Sequence, residues 1–223
     1  MDLSKSSIGG RLETKFEKLS FEGKSGPIPA VLMTPSDTAL KTALVLPGAG
    51  YSFRQPLLYF AIQVLLQKKF RVLAIDKIYA DDPKWSCLTT ETEARKVVEE
   101  DAIVLFPAIA AWLGGQPDTI LGRSLGTFSL AIALERGLVH PRQIVWQTPA
   151  LRDRWPIIRS CGVRGFGIIG TADTRYEEAR AHLPQNTLVV EGADHGMEIA
   201  DDPIHSIEIL KQVTKAMSEW TAS

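Results

Sequence analysis

Gly122-Arg123-Ser124-Leu125-Gly126 places a serine between two glycines. A stretch of this kind can turn sharply enough to push a hydroxyl clear of the chain, because glycine has no Cβ to strike neighbouring backbone. A serine hydroxyl is a weak nucleophile near neutral pH and needs a base, which in turn needs an acid to orient it. His195, between Gly192 and Gly196, is the candidate base, and Asp173 is the candidate acid. Asp173 follows Ser124 by 49 residues and precedes His195 by 22. The order Ser, Asp, His is the one required when three loops meet at one end of a parallel sheet. Asp194, adjacent to the histidine, and Asp153 are the competing acids. An ordinary helix N-cap would also account for a serine at 124, but it would leave the ordered Asp and His unexplained. The chemistry within reach of this set is nucleophilic acyl transfer.

Acyl transfer also needs donors aimed at the charge that develops on the attacked carbonyl oxygen. Leu125 follows the serine at a predicted helix start, where a main-chain N–H has no partner and the helix dipole favours negative charge. A second donor is expected from Pro47-Gly48-Ala49-Gly50, which is small enough for backbone to approach a substrate; Ala49 is favoured and Gly50 is second. Gly50, Tyr51, Arg54, Arg123 and Trp155 are candidate pocket residues. Arg54, Lys77, Arg123, Arg152, Arg154 and Arg175 all fall in or beside loops at the predicted active end. Converging guanidinium groups would grip a carboxylate or phosphate. The competing reading is solvated charge balanced by Asp76, Asp81, Asp82 and Asp153.

The elements that must carry these loops follow from the apolar pattern. Residues 13–21 and 28–33 read as a hairpin around the turn 23–27. Short apolar runs at 42–46, 71–75, 118–121, 143–147, 165–170 and 187–191 read as strands, those in mid-chain buried on both faces. Helical spacing marks 56–69, a long helix from a Thr90/Glu93 capping box, 125–136, 174–183 and a last helix from Pro203. Pro107 is expected to kink or break the long helix before Gly114. Ile207, Leu210, Val213, Met217 and Trp220 are expected to form the buried face of the last one. A hairpin followed by strand–helix alternation implies an α/β fold with a mostly parallel central sheet flanked by helices. Ligands of such sheets bind beyond the C-terminal strand ends, where the candidate residues fall.

The chain has 223 residues, 45% apolar and 23% charged, with a formal net charge of −1. These values fit one globular domain over 13–223 after a flexible lead-in at 1–12, and exclude low-complexity and collagen-like classes. Near-zero charge with no basic cluster argues against a nucleic-acid partner. No signal-peptide core and no long apolar segment are present, so a cytoplasmic protein with no membrane partner is expected. Cys87 and Cys161 suggest neither a disulfide framework nor a zinc site. His140, His182 and His205 read as structural or surface residues, and Asp81-Asp82 and Asp201-Asp202 as turn and cap residues. No metal and no cofactor are implied, and no feature sets the oligomeric state.

With these residues in view, the chain resembles the α/β-hydrolase fold family from the opening hairpin to the last helix. The resemblance implies nucleophile Ser124, acid Asp173 and base His195, with Ala49 and Leu125 donating to the oxyanion. The chain departs from the family at Pro47-Gly48, where many members carry His-Gly. It departs again where only about 18 residues separate strand 143–147 from the next, too few for a helical cap. The expectation is a small, lidless serine hydrolase of carboxylic esters or thioesters, working through an acyl-enzyme. A peptidase or acyltransferase would use the same triad, and a catalytically idle binding protein could keep the same scaffold.

Overall fold

The computed structural model describes residues 14–36, 39 and 41–221; the lead-in at 1–12 lies outside them. The chain opens with strands β1 (Thr14–Phe21) and β2 (Ile28–Pro35) and continues with β3 (Lys41–Leu46). Helix α1 (Pro56–Gln67), β4 (Phe70–Ile75), the short α2 (Pro83–Ser86) and the long α3 (Glu91–Leu113) come next. Then follow β5 (Thr119–Arg123), α4 (Leu125–Glu135), β6 (Gln143–Gln147), the one-turn α5 (Ile157–Ser160) and β7 (Arg164–Gly170). Helix α6 (Tyr176–Ala179), β8 (Thr187–Val190) and α7 (Pro203–Trp220) complete it.

The strands form one eight-stranded sheet in the order β1-β2-β4-β3-β5-β6-β7-β8. β1 and β2 pair antiparallel, as does β2 with β4, and every later pairing is parallel. Alternating residues of the central strands feed two cores. Leu44, Leu73, Ile120, Ile144 and Ile169 pack with α3 and α4 on one face. Val45, Val72, Leu121, Val145 and Ile168 pack with α1 and α7 on the other. Because both faces are covered, these strands are apolar throughout instead of alternating. From β3 the chain builds outward to β4 on one side and β5 on the other, so the loops after β3 and β5 part and leave a crevice between them.

Local signals explain most element ends. Thr90 and Glu93 form the capping box that starts α3, and Gly114 in the left-handed region ends it. Asp202 accepts from the His205 N–H at 3.0 Å and caps α7, and Asp82 caps α2 through Lys84 N–H. Pro107, in contrast, lies inside a continuous α3 and does not break it. It sits on the exposed side, while Phe106 and Ile109 beside it are buried, so packing holds the helix across the missing N–H. Residues 174–183 contain only the single turn of α6 where a longer helix was expected. Ile207 is 62% exposed, and Ile209 takes its place with Val213, Met217 and Trp220 on the buried face of α7. No helix among the described residues is long and apolar enough to cross a membrane.

Candidate active site

Ser124 lies between β5 and α4 with φ 49° and ψ −117°. This conformation is rare for a residue with a Cβ and marks a strained turn. The two glycines make the turn possible. A Cβ on Gly126 would collide with main-chain oxygens, coming within 2.6 Å of Pro47 O, and one on Gly122 would lie 3.1 Å from Gly126 O. Ser124 N–H donates to Gln147 O at 3.1 Å, and the Thr127 hydroxyl accepts from Ala150 N–H at 3.0 Å while donating to Ser124 O. The strained residue is therefore held from both neighbouring segments. Its hydroxyl does not cap α4. It lies 2.8 Å from Nε2 of His195.

Nδ1 of His195 lies 2.6 Å from Oδ2 of Asp173. If the imidazole is neutral, this pairing puts its proton on Nδ1 and leaves Nε2 to accept from serine. Asp173 follows β7 and is buried; its other oxygen accepts from Arg175 N–H at 3.0 Å. Burial pushes the Asp173 carboxyl up, but the His195 and Arg175 hydrogen bonds and charges outweigh it and hold it below the ordinary value. The competing acids are placed elsewhere. Asp194 turns back on its own loop, accepting from Gly196 and Glu198 N–H at 2.7 and 3.0 Å. Asp153 is exposed and pairs with Arg95 at 3.3 Å.

The loop after β3 comes against Ser124. A Cβ on Gly48 would lie 3.4 Å from Ser124 Cβ, in van der Waals contact, so the loop runs directly alongside the serine. The loop is tied by Ala80 N–H to Ala49 O at 3.0 Å and by Gly48 N–H to Tyr51 O at 3.1 Å. Leu125 is the first residue of α4, so no preceding turn supplies an acceptor for its N–H. Gly50 is exposed beside Ala80. Tyr51 is half-buried, accepts from Leu57 N–H at 3.0 Å, and lines a cavity of about 430 Å³ with Asp194, Met197, Ile199 and Leu210.

Other pocket expectations are corrected by burial and pairing. Trp155 is 5% exposed within the α3/α4 core, its indole N–H directed to Glu178, so it lines no open pocket. Arg54 forms a two-pronged pair with Asp76 at 2.6 and 2.8 Å. Lys77 pairs with buried Asp101 at 3.1 Å, Arg152 with Glu91, Arg154 with Glu135, and Arg175 lies 3.9 Å from Asp173. Arg123 is buried. The basic residues therefore do not converge on one anion site; most are matched to carboxylates, several of them on helices remote in sequence. Among the described residues no group of three or more His, Cys, Asp or Glu could hold a metal ion.

Two contributors to the site carry no motif. Gly170, at the end of β7, lets the Asp173 loop approach the His195 loop, and Gln147, at the end of β6, supplies the carbonyl that holds Ser124 N–H. A glycine at a strand end was the available signal for the first; the second acts through its main chain and leaves no signal in residue type.

No protein-family model and no curated protein matches the sequence. Solved structures match it in shape. A dienelactone hydrolase from Anabaena variabilis superposes with a TM-score of 0.67 at 21% identity, over 94% of this chain and 97% of that one. The esterase domain of a Rhodothermus marinus protein gives 0.64 at 15% identity, over 93% and 98%. A lidless α/β serine hydrolase from Xanthomonas campestris gives 0.59 at 15% identity, over 95% and 98%. With the sheet order and the strand–turn–helix at Ser124, these likenesses show that the chain has the α/β-hydrolase fold.

Proposed function

We propose that this chain is a serine hydrolase that cleaves small carboxylic esters or thioesters. The observation that carries the reading is the unbroken line from Ser124 Oγ through the His195 ring to Asp173, at 2.8 and 2.6 Å, on a strained turn. Ser124 Oγ attacks the ester carbonyl as its proton passes to His195 Nε2. Asp173, held as a carboxylate by its hydrogen bonds, orients the ring and stabilises the imidazolium. The N–H groups of Leu125 and Ala49 receive the oxyanion, Leu125 from the N-terminus of an eleven-residue helix. The tetrahedral intermediate collapses, the C–O or C–S bond breaks, and the leaving group takes the proton from His195. Water, deprotonated by His195, then attacks the acyl-enzyme and releases Ser124 and a carboxylic acid.

Residues 148–163 between β6 and β7 hold a 3-10 turn at Arg152–Arg154 and the four residues of α5, a segment short for a helical cap. A site without such a cap suits small soluble esters better than long acyl chains, which need apolar walls along their length. The test is intact-protein mass after exposure to a fluorophosphonate, followed by hydrolysis of p-nitrophenyl esters of graded acyl length. One adduct on the wild type, none on Ser124→Ala, and turnover falling with acyl length are expected. No adduct on folded wild type overturns the reading.

A further inference from the structure

Arg123, at the variable position before the nucleophile, is the last residue of β5 and stands in register beside Gln147 of β6. Only 6% of it is exposed. Its Nη2 donates to the main-chain oxygen of His195 at 3.2 Å, and its guanidinium lies 3.7 Å from the centre of the Tyr51 ring. A Cβ on Gly48 would come within 2.8 Å of its Nη1. One side chain therefore touches the turn that carries the nucleophile, the loop after β3 and the backbone of the base itself.

Burying a guanidinium costs several kcal/mol, and an apolar side chain would fill the space more cheaply. Here burial pulls the Arg123 pKa down, against the opposing influence of Tyr51, Asp173, Asp194 and Glu198. The His195 loop is held internally by Asp194 and joined to the acid loop by Ala172 N–H donating to Ala193 O at 3.0 Å. Those bonds fix its shape and its distance from Asp173, but not its distance from Ser124. The Arg123 hydrogen bond spans that second distance. We propose that Arg123 is a positioning residue, which locks the backbone of His195 onto the nucleophile turn so that base and nucleophile are held as one rigid unit. The inference rests on Ser124 and His195 being nucleophile and base. Because Arg123 is buried, it acts through His195 and Tyr51 and not on substrate.

Arg123→Met keeps length and apolar packing but removes the donor and the charge; Arg123→Lys keeps the charge without the planar fork. A misplacement of a catalytic group by about 1 Å costs on the order of 100-fold. With p-nitrophenyl acetate, kcat of Arg123→Met is expected to fall about 10- to 100-fold with KM nearly unchanged. Arg123→Lys should recover only part of kcat, because the ammonium keeps the charge and loses the fork. The imidazole proton shared with Asp173, read by NMR, should be sharp in wild type and broadened in Arg123→Met.

Wild-type kcat with an equally sharp imidazole proton in Arg123→Met overturns the inference, and if that variant does not fold, wild-type kcat in Arg123→Lys does so. A wild type that neither labels nor turns over ester refutes the hydrolase reading alone. In that event an equally sharp proton signal in wild type and either folded variant refutes the positioning role.

Discussion

Gly170 packs its α-carbon directly beneath the main-chain carbonyl of Ala193, so a Cβ at 170 would run into that oxygen. The same oxygen accepts from Ala172 N–H at 3.0 Å. This approach brings the loop of Asp173 and the loop of His195 into hydrogen-bonding distance.

Gly170→Ala is expected to force these loops apart. Overpacking against backbone costs about 1–3 kcal/mol, and the displaced base should lower ester turnover on the order of 100-fold. Gly115→Ala, where nothing lies within 4 Å of the new Cβ, is the control. It should leave stability within about 0.5 kcal/mol and turnover unchanged. Urea unfolding and p-nitrophenyl acetate kinetics on both variants check this.

Removing members of the triad should cost unequal amounts. Ser124→Ala and His195→Ala are each expected to lower kcat by roughly 10⁴- to 10⁶-fold, and the double variant little further, because the two act as a unit. Asp173→Asn keeps the shape but presents the wrong hydrogen-bonding partner to Nδ1, with a loss of about 10⁴-fold. Additive losses in the double variant would show that the pair does not act together.

Asp101 is 1% exposed and neutralises Lys77, which is 8% exposed. It also accepts from the Ser25 hydroxyl and N–H and the Tyr79 hydroxyl. Asp101→Ala would strand a buried cation and is expected to cost about 3–5 kcal/mol in urea unfolding at pH 7. A loss below 1 kcal/mol would mean that Lys77 finds water or another partner.

The same carboxylates set the acid limit of stability. Burial pushes Asp101 up, but Ser25 and Lys77 hold its carboxyl below the ordinary value, and Asp173 is likewise low. Groups with a depressed folded pKa bind fewer protons folded than unfolded. Their contribution is complete above the unfolded value near 3.9 and disappears as pH falls through the lower folded value. Stability should therefore drop steeply below about pH 4, and Asp173→Asn should flatten that drop. An unchanged acid slope in this variant would assign the drop to other groups.

Much of the architecture was legible along the chain because it is encoded locally. Continuous apolar runs at 42–46, 71–75 and 143–147 mark strands covered on both faces. Thr90 and Glu93 cap a helix through atoms three residues apart, and Gly122 is required by the turn's own backbone at Gly126, whereas Gly126 is required by the approach of Leu46 and Pro47 from β3, a contact that only the motif pattern signals. Pro107 was misleading because a helix break is a local preference, and the packing of Phe106 and Ile109 overrides it. Ile207 and Ile209 differ by two positions in an apolar stretch, and only the meeting of α7 with α1 chooses between them.

The linear order alone marked the Gly-x-Ser-x-Gly turn, the Ser-Asp-His succession and the strand ends at which they sit. It left Asp173 competing with Asp194 and Asp153, and it left Arg123 and Trp155 as pocket residues. Only the folded sheet placed Asp173 within 2.6 Å of His195, turned Asp194 onto its own loop and buried Arg123 and Trp155. Only packing brought Glu91, Glu135 and Asp101 to Arg152, Arg154 and Lys77. The physical reason is range. Turns and helix caps are decided by atoms a few residues apart, whereas charge pairing and burial depend on which faces meet across the fold, and no short stretch of sequence contains both partners.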